Sequence, residues 1–135
     1  MDKILLIAGC GIIALLGSAH LVFTFFSNKF DARDPALTEA MKQVSPVISG
    51  QTTVWKAWIG FNASHSMGAM LFGFVFIAIA LENYSYLRAS PALNVILLVV
   101  PAAYLALAVK FWFSKPRNGI AIALALILLS LALRS

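Results

Sequence analysis

Two histidines, His20 and His65, lie inside long apolar runs of a 135-residue chain. Imidazole changes charge near neutral pH, accepts or donates hydrogen bonds, and ligates metals. An ionisable side chain in an apolar run is costly and marks a candidate functional position. The stretch G60-F-N-A-S-H-S-M-G68 adds Asn62, Ser64 and Ser66 around His65, and Thr24 follows His20 by four residues. At 100° per residue, Cys10, Ala14, Gly17, His20 and Thr24 share one face of a helix. His20 lies six residues before Phe26 and His65 ten after Trp55. In antiparallel neighbours rising 1.5 Å per residue, that puts both rings about 10–15 Å below one membrane surface. Tyr104, nine residues before Phe113, reaches the same layer from a third helix. His20, Thr24, Asn62, His65, Ser66 and Tyr104 are therefore the candidate ligand-binding residues.

Several chemistries fit two intramembrane histidines. His20 and His65 could serve as axial ligands of haem b within a helical bundle, with Lys56 and Lys110 near its propionates. That use needs open space, whereas the small residues nearby predict close helix contact. Zinc or copper lacks a further Asp, Glu or Cys within the spans to complete a ligand set. Proton-coupled transport lacks an intramembrane carboxylate. Phosphate loops, nucleophilic triads and nucleic-acid motifs are absent, so no catalytic set and no nucleic-acid partner is expected. The reading that fits best is a site for a small non-protein ligand or cofactor of unassigned identity. Helix glue is the plain alternative, since Ser, Thr, Asn and His commonly hydrogen-bond across membrane helices at about 0.6 kcal/mol each.

The elements that must hold these residues are membrane spans. Hydrophobic residues make up 61% of the chain and charged ones 11%, where a soluble domain carries roughly 25% charged. Four runs are long enough, or nearly so, to cross hydrocarbon at about 20 residues per span: residues 4–26, 55–81, 92–113 and 118–134. The third is interrupted by Pro101, and the fourth is short. The apolar run after Lys3 continues to Phe26, too long for a signal-peptide core of about 7–15 residues, so a retained helix is expected. Between the first two spans, Asp34-Pro35 is a helix start. Leu37, Met41, Val44 and Ile48 follow at helical spacing, which predicts a short amphipathic helix in the membrane interface. The expected fold is all-α: one domain over 1–135, a bundle of four transmembrane helices, with both termini on one side.

On the second span, Gly60, Ser64 and Gly68 recur every four residues, a pattern that lets another helix approach closely. Asn62, Ser66, Ala69 and Gly73 form a second small or polar stripe. Ile59, Met67, Met70, Phe74 and Ile77 fill the arc expected to face lipid. Gly17, Gly60, Ser64, Gly68 and Gly73 are accordingly the expected packing positions. A partner helix docking on the Gly60-Ser64-Gly68 stripe would make the chain an accessory or scaffolding subunit, or a homo-oligomer.

The segment W55-K-A-W-I-G-F-N-A-S-H-S-M-G68 resembles an uncharacterised family of small four-helix bacterial integral membrane proteins that carry W-x2-W-I-G-F-N-x-S-H-x-x-G. The resemblance covers chiefly this segment, with G17-S-A-H20 beside it. It implies a four-helix protein of the bacterial inner membrane and no assigned activity.

Charges orient the spans. The first and third connections with their flanks hold Lys29, Arg33, Lys42, Lys56, Lys110, Lys115 and Arg117; the other side holds Lys3, Arg88 and Arg134. The positive-inside rule puts the long connection in the cytoplasm and both termini in the periplasm. With Cys10 replaced, a cysteine introduced at Asn28 should resist external membrane-impermeant thiol reagents, and a periplasm-active reporter fused after Ser135 should be active. Labelling of that cysteine from outside would invert the topology.

Overall fold

The computed structural model describes residues 1–133; Arg134, and with it the last position of the expected fourth span, lies outside the described residues, as does Ser135. The fold is all-α. Its helices are α1 (Asp2–Phe26), α2 (Pro35–Gln43), α3 (Val54–Glu82), α4 (Tyr84–Ala89), α5 (Pro91–Phe111) and α6 (Ser114–Ala132). Four of them, α1, α3, α5 and α6, are long and apolar enough to cross a membrane. With their many exposed Leu, Ile, Val and Phe side chains, they define a multi-pass membrane protein.

The boundaries follow local chemistry. Asp34 caps α2 by accepting from the Ala36 N–H at 2.9 Å, and Pro35 fills the first turn, where its missing N–H costs nothing. The helix ends at Gln43, so Val44, which is extended, and Ile48, which lies in a turn, are not part of its apolar face. The connection between the second and third spans contains α4, which the sequence reading did not anticipate. Asn83 caps it, accepting from the Tyr86 N–H at 3.1 Å. Ser90 caps α5 in the same way, through the Leu93 N–H. Helix α5 runs on through Pro101, as membrane helices tolerate when neighbours accommodate the lost bond. Helix α6 begins at Ser114, with Pro116 in its first turn. The helix is therefore 19 residues long, although its first turn carries Lys115 and Arg117 and its apolar run begins only at Gly119.

The chain divides into two compact units. One comprises Met1–Leu16 with everything from Ala69 onward; the other is Gly17–Gly68. Helices α1 and α3 contribute to both. The core of the first unit is Leu6, Cys10, Ile13, Ala69, Phe72, Phe76, Leu97, Ala123 and Ile127. Small residues set its closest approaches. A Cβ on Gly73 would lie 2.6 Å from the Cys10 carbonyl and 2.7 Å from the Ala14 Cβ. One on Gly9 would lie 2.8 Å from the Ala123 carbonyl. At the ends of α1, α4 and α6, Tyr84 donates to Asp2 Oδ2 at 2.9 Å, Arg88 lies 3.7 Å from the same oxygen, and Ser130 donates to the Asp2 carbonyl at 2.8 Å.

Of the two small stripes on α3, only one is packed. Asn62, Ser66, Ala69 and Gly73 are all buried, while Gly60, Ser64 and Gly68 are exposed. A Cβ on Gly60 would meet nothing within 4 Å. The expectation that Gly60, Ser64 and Gly68 pack helices within the chain is thus corrected, whereas Gly17 and Gly73 are buried as expected. A small stripe is buried only where a neighbour covers it: α1's small face, Cys10 and Ala14, meets α3 at Gly73, whereas nothing lies within 4 Å of a Cβ on Gly60. Met67 and Phe74 face outward as predicted, but Ile77 packs partly against the core.

Gly73→Ala should destabilise the protein by about 1–3 kcal/mol, because its new methyl meets backbone rather than a movable side chain. Gly60→Ala should be neutral or stabilise by up to about 1 kcal/mol, the ordinary gain of alanine in a helix. Thermal unfolding in detergent separates the two; equal behaviour would refute this placement of the stripes.

Candidate functional site

Asn62 is the centre of the polar cluster in the Gly17–Gly68 unit. It is 5% exposed, and a buried amide must place both its donor and its acceptor. Its Nδ2 donates to the Trp58 carbonyl one turn earlier on α3, at 2.8 Å. This fixes the amide's orientation, since the reversed one would set two oxygens against each other. Asn62 Oδ1 then faces His20 Nε2 at 3.0 Å, so the ring nitrogen must donate. Neutral His20 therefore carries its proton on Nε2 and keeps Nδ1 as an acceptor.

His65 completes the group. Its ring meets that of His20 edge to face, with centroids 5.5 Å apart, and stacks on Phe61 at 6.3 Å with an interplanar angle of 14°. Phe30, in the connection after α1, lies against the other side of His20 at 4.6 Å. It is held there by Trp58, whose indole N–H donates to the Phe30 carbonyl at 3.1 Å and whose ring stands edge-on to the phenyl. Phe30 and Phe61 thus flank the two imidazoles and Trp58 backs Phe30, with Phe61 and Trp58 themselves exposed.

The other predicted residues divide clearly. Thr24 is buried, but its hydroxyl donates to the His20 carbonyl at 2.8 Å; the Ser66 hydroxyl does the same to the Asn62 carbonyl at 2.7 Å. Such back-bonds within a helix use the donor locally, so both residues support the segments carrying His20 and Asn62. Ser64 likewise donates to the Phe61 carbonyl, on the exposed side. Tyr104 belongs to the other unit, where it packs against the apolar core and sets its ring edge-on to Trp112 at 6.4 Å.

Phe30 and Trp58 were not among the expected site residues. Trp58 stood in the quoted motif, four residues before Asn62, and that spacing is the available signal. Phe30 carries none, because its position depends on how the connection turns back. The haem geometry is not prepared either: the imidazoles are in contact with each other, and His20 Nε2 is engaged by Asn62. Among the described residues, no three His, Cys, Asp or Glu side chains gather in one place.

Fold and cluster together define a small multi-pass helical membrane protein with a polar group set into its apolar spans. No family model matches the chain, and neither the curated proteins nor the solved structures contain a match.

Asn62→Ala removes the partner of His20 and leaves the ring N–H without its acceptor, at a cost of about 1–3 kcal/mol. Ser64→Ala removes a hydroxyl bonded only to its own helix on an exposed face, and should change stability by less than about 0.5 kcal/mol. Chemical or thermal unfolding of both variants checks the contrast.

Proposed function

We propose that this protein binds a small non-protein ligand at the group formed by His20, Asn62 and His65. The observation that carries this reading is the Asn62 bridge. It presents His20 in a single tautomer, with Nδ1 left to accept from a ligand hydroxyl or N–H. The aromatic surround of Phe30, Trp58 and Phe61 suits a ligand with a flat or apolar body and one polar head. Trp58, Asn62 and His65 all belong to the W-x2-W-I-G-F-N-x-S-H-x-x-G segment, which agrees with one local role for that motif. The host is a bacterial inner membrane, with residues 27–53 towards the cytoplasm and both termini in the periplasm. In this reading the chain binds its ligand without transforming it. A b-type haem with His20 and His65 as axial ligands is the demanding variant, because the two rings must part and Asn62 must release Nε2.

Native mass spectrometry of protein purified under mild conditions tests the proposal. A small molecule retained by the wild type should be lost from His20→Ala and from His65→Ala alike. The double variant should lose no more than either single one, because one missing partner already disables the unit. Retention by both single variants contradicts the reading. A strong Soret band in the wild-type spectrum, absent from both variants, would identify the ligand as haem.

A second reading draws on the exposed Gly60-Ser64-Gly68 stripe. Small residues open to the outside at four-residue spacing suit a close helix partner, either a subunit of a membrane complex or a second copy of this chain. Gly60→Leu should then shift the assembly towards monomer while leaving the fold stable. An unchanged assembly would remove this reading.

A further inference from the structure

The connection between α1 and α3 holds a feature independent of the histidines. An open cavity of about 530 Å³ lies among Lys29, Asp31, Arg33, Thr38, Glu39 and Lys42. Its wall is built rather than incidental, because buried Thr38 accepts from the Ala32 N–H at 3.1 Å and ties the turn to α2. Its charges are not all cancelled. Lys42 is paired with Glu39 at 2.6 Å, and Asp34 is turned to the α2 cap. Lys29 Nζ rests 3.5 Å over the Phe23 ring at the end of α1, a contact that holds an ammonium without neutralising it. Among the described residues, neither Lys29 nor Arg33 forms an ion pair with a carboxylate. Against these two cations the cavity sets Asp31 alone, leaving a net positive site.

The same connection exposes apolar side chains that water would not favour. Leu37 and Val44 are more than half exposed, and Val47 and Ile48 almost wholly so. The connection joins two helices long and apolar enough to span a membrane, and exposed apolar side chains on such a segment favour the bilayer interface. A cationic cavity and exposed apolar side chains within one connection match an amphipath with an anionic head and a hydrocarbon body. Arg33 supplies the planar fork suited to phosphate oxygens, and Lys29 a point charge.

We propose that this cavity binds the anionic phosphodiester headgroup of a membrane lipid, whose acyl chains lie against Leu37, Val44, Val47 and Ile48. The site anchors the connection to the bilayer surface and is separate from the ligand group around Asn62.

The test uses the full chain purified in a neutral maltoside detergent, with thermal unfolding followed as lipid is added. Phosphatidylglycerol should raise Tm saturably, while phosphatidylcholine, whose head carries no net charge, should do so far less. The double variant Lys29→Gln/Arg33→Gln should need about 30-fold more phosphatidylglycerol for the same rise, and Arg33→Gln alone about fivefold more. Arg33 is exposed, so the single variant keeps the test decisive should the double variant fail to fold. A variant with the same charge change elsewhere, Lys115→Gln/Arg117→Gln, should respond as the wild type does. Equal stabilisation by the two lipids, an unchanged response of Arg33→Gln, or an equal loss in the Lys115/Arg117 variant would overturn the proposal. Inorganic phosphate producing the same rise at the same concentration would overturn the assignment to a lipid.

Discussion

Inside a hydrocarbon layer, a polar side chain must find its hydrogen-bond partners within the protein, because no water is there to supply them. Asn62 meets that constraint by donating to the Trp58 carbonyl and accepting from His20. Those two bonds tie a ring on α1 to the backbone of α3. They determine which nitrogen of His20 holds a proton, and they set the place where His65 can lie against it. Thr24 and Ser66 satisfy the same constraint within single helices and so remain in the background. A hydroxyl can close its bond on its own helix, whereas Asn62 bonds both its own helix, through Trp58, and His20 on the other.

Much of the fold was legible because span length and polar spacing are strong signals. The four spans, the Asp34-capped helix and the face carrying Cys10, Ala14, Gly17, His20 and Thr24 follow from apolar runs and the 3.6-residue period. Helix α4 was missed because six residues between two caps show no periodicity of their own. The first turn of α6 was missed because Lys115, Pro116 and Arg117 look like a polar connection, although Pro is at home in a helix's first turn.

The site was half legible, and the two stripes of α3 show why. Asn62, Ser66, Ala69 and Gly73 look much like Gly60, Ser64 and Gly68 when drawn on a wheel. Which of them is covered depends on the neighbour: Cys10 and Ala14 approach Gly73 closely, and a Cβ on Gly60 would meet nothing within 4 Å. Matched depth correctly suggested that His20 and His65 come together. The same depth argument singled out Tyr104, whose ring packs with Trp112. Phe30 was beyond reach, since a connection's path is set by contacts such as the Trp58 indole bond rather than by local pattern.

Ring-nitrogen chemical shifts report directly whether Asn62 holds His20 in one tautomer, with the proton on Nε2. Nitrogen-15 magnetic resonance of histidine-labelled protein in lipid should show a protonated Nε2 and an unprotonated Nδ1 for neutral His20. Asn62→Ala should abolish that single-tautomer pattern. A wild-type His20 protonated on Nδ1, or one whose signals are unaffected by the loss of Asn62, would contradict the account.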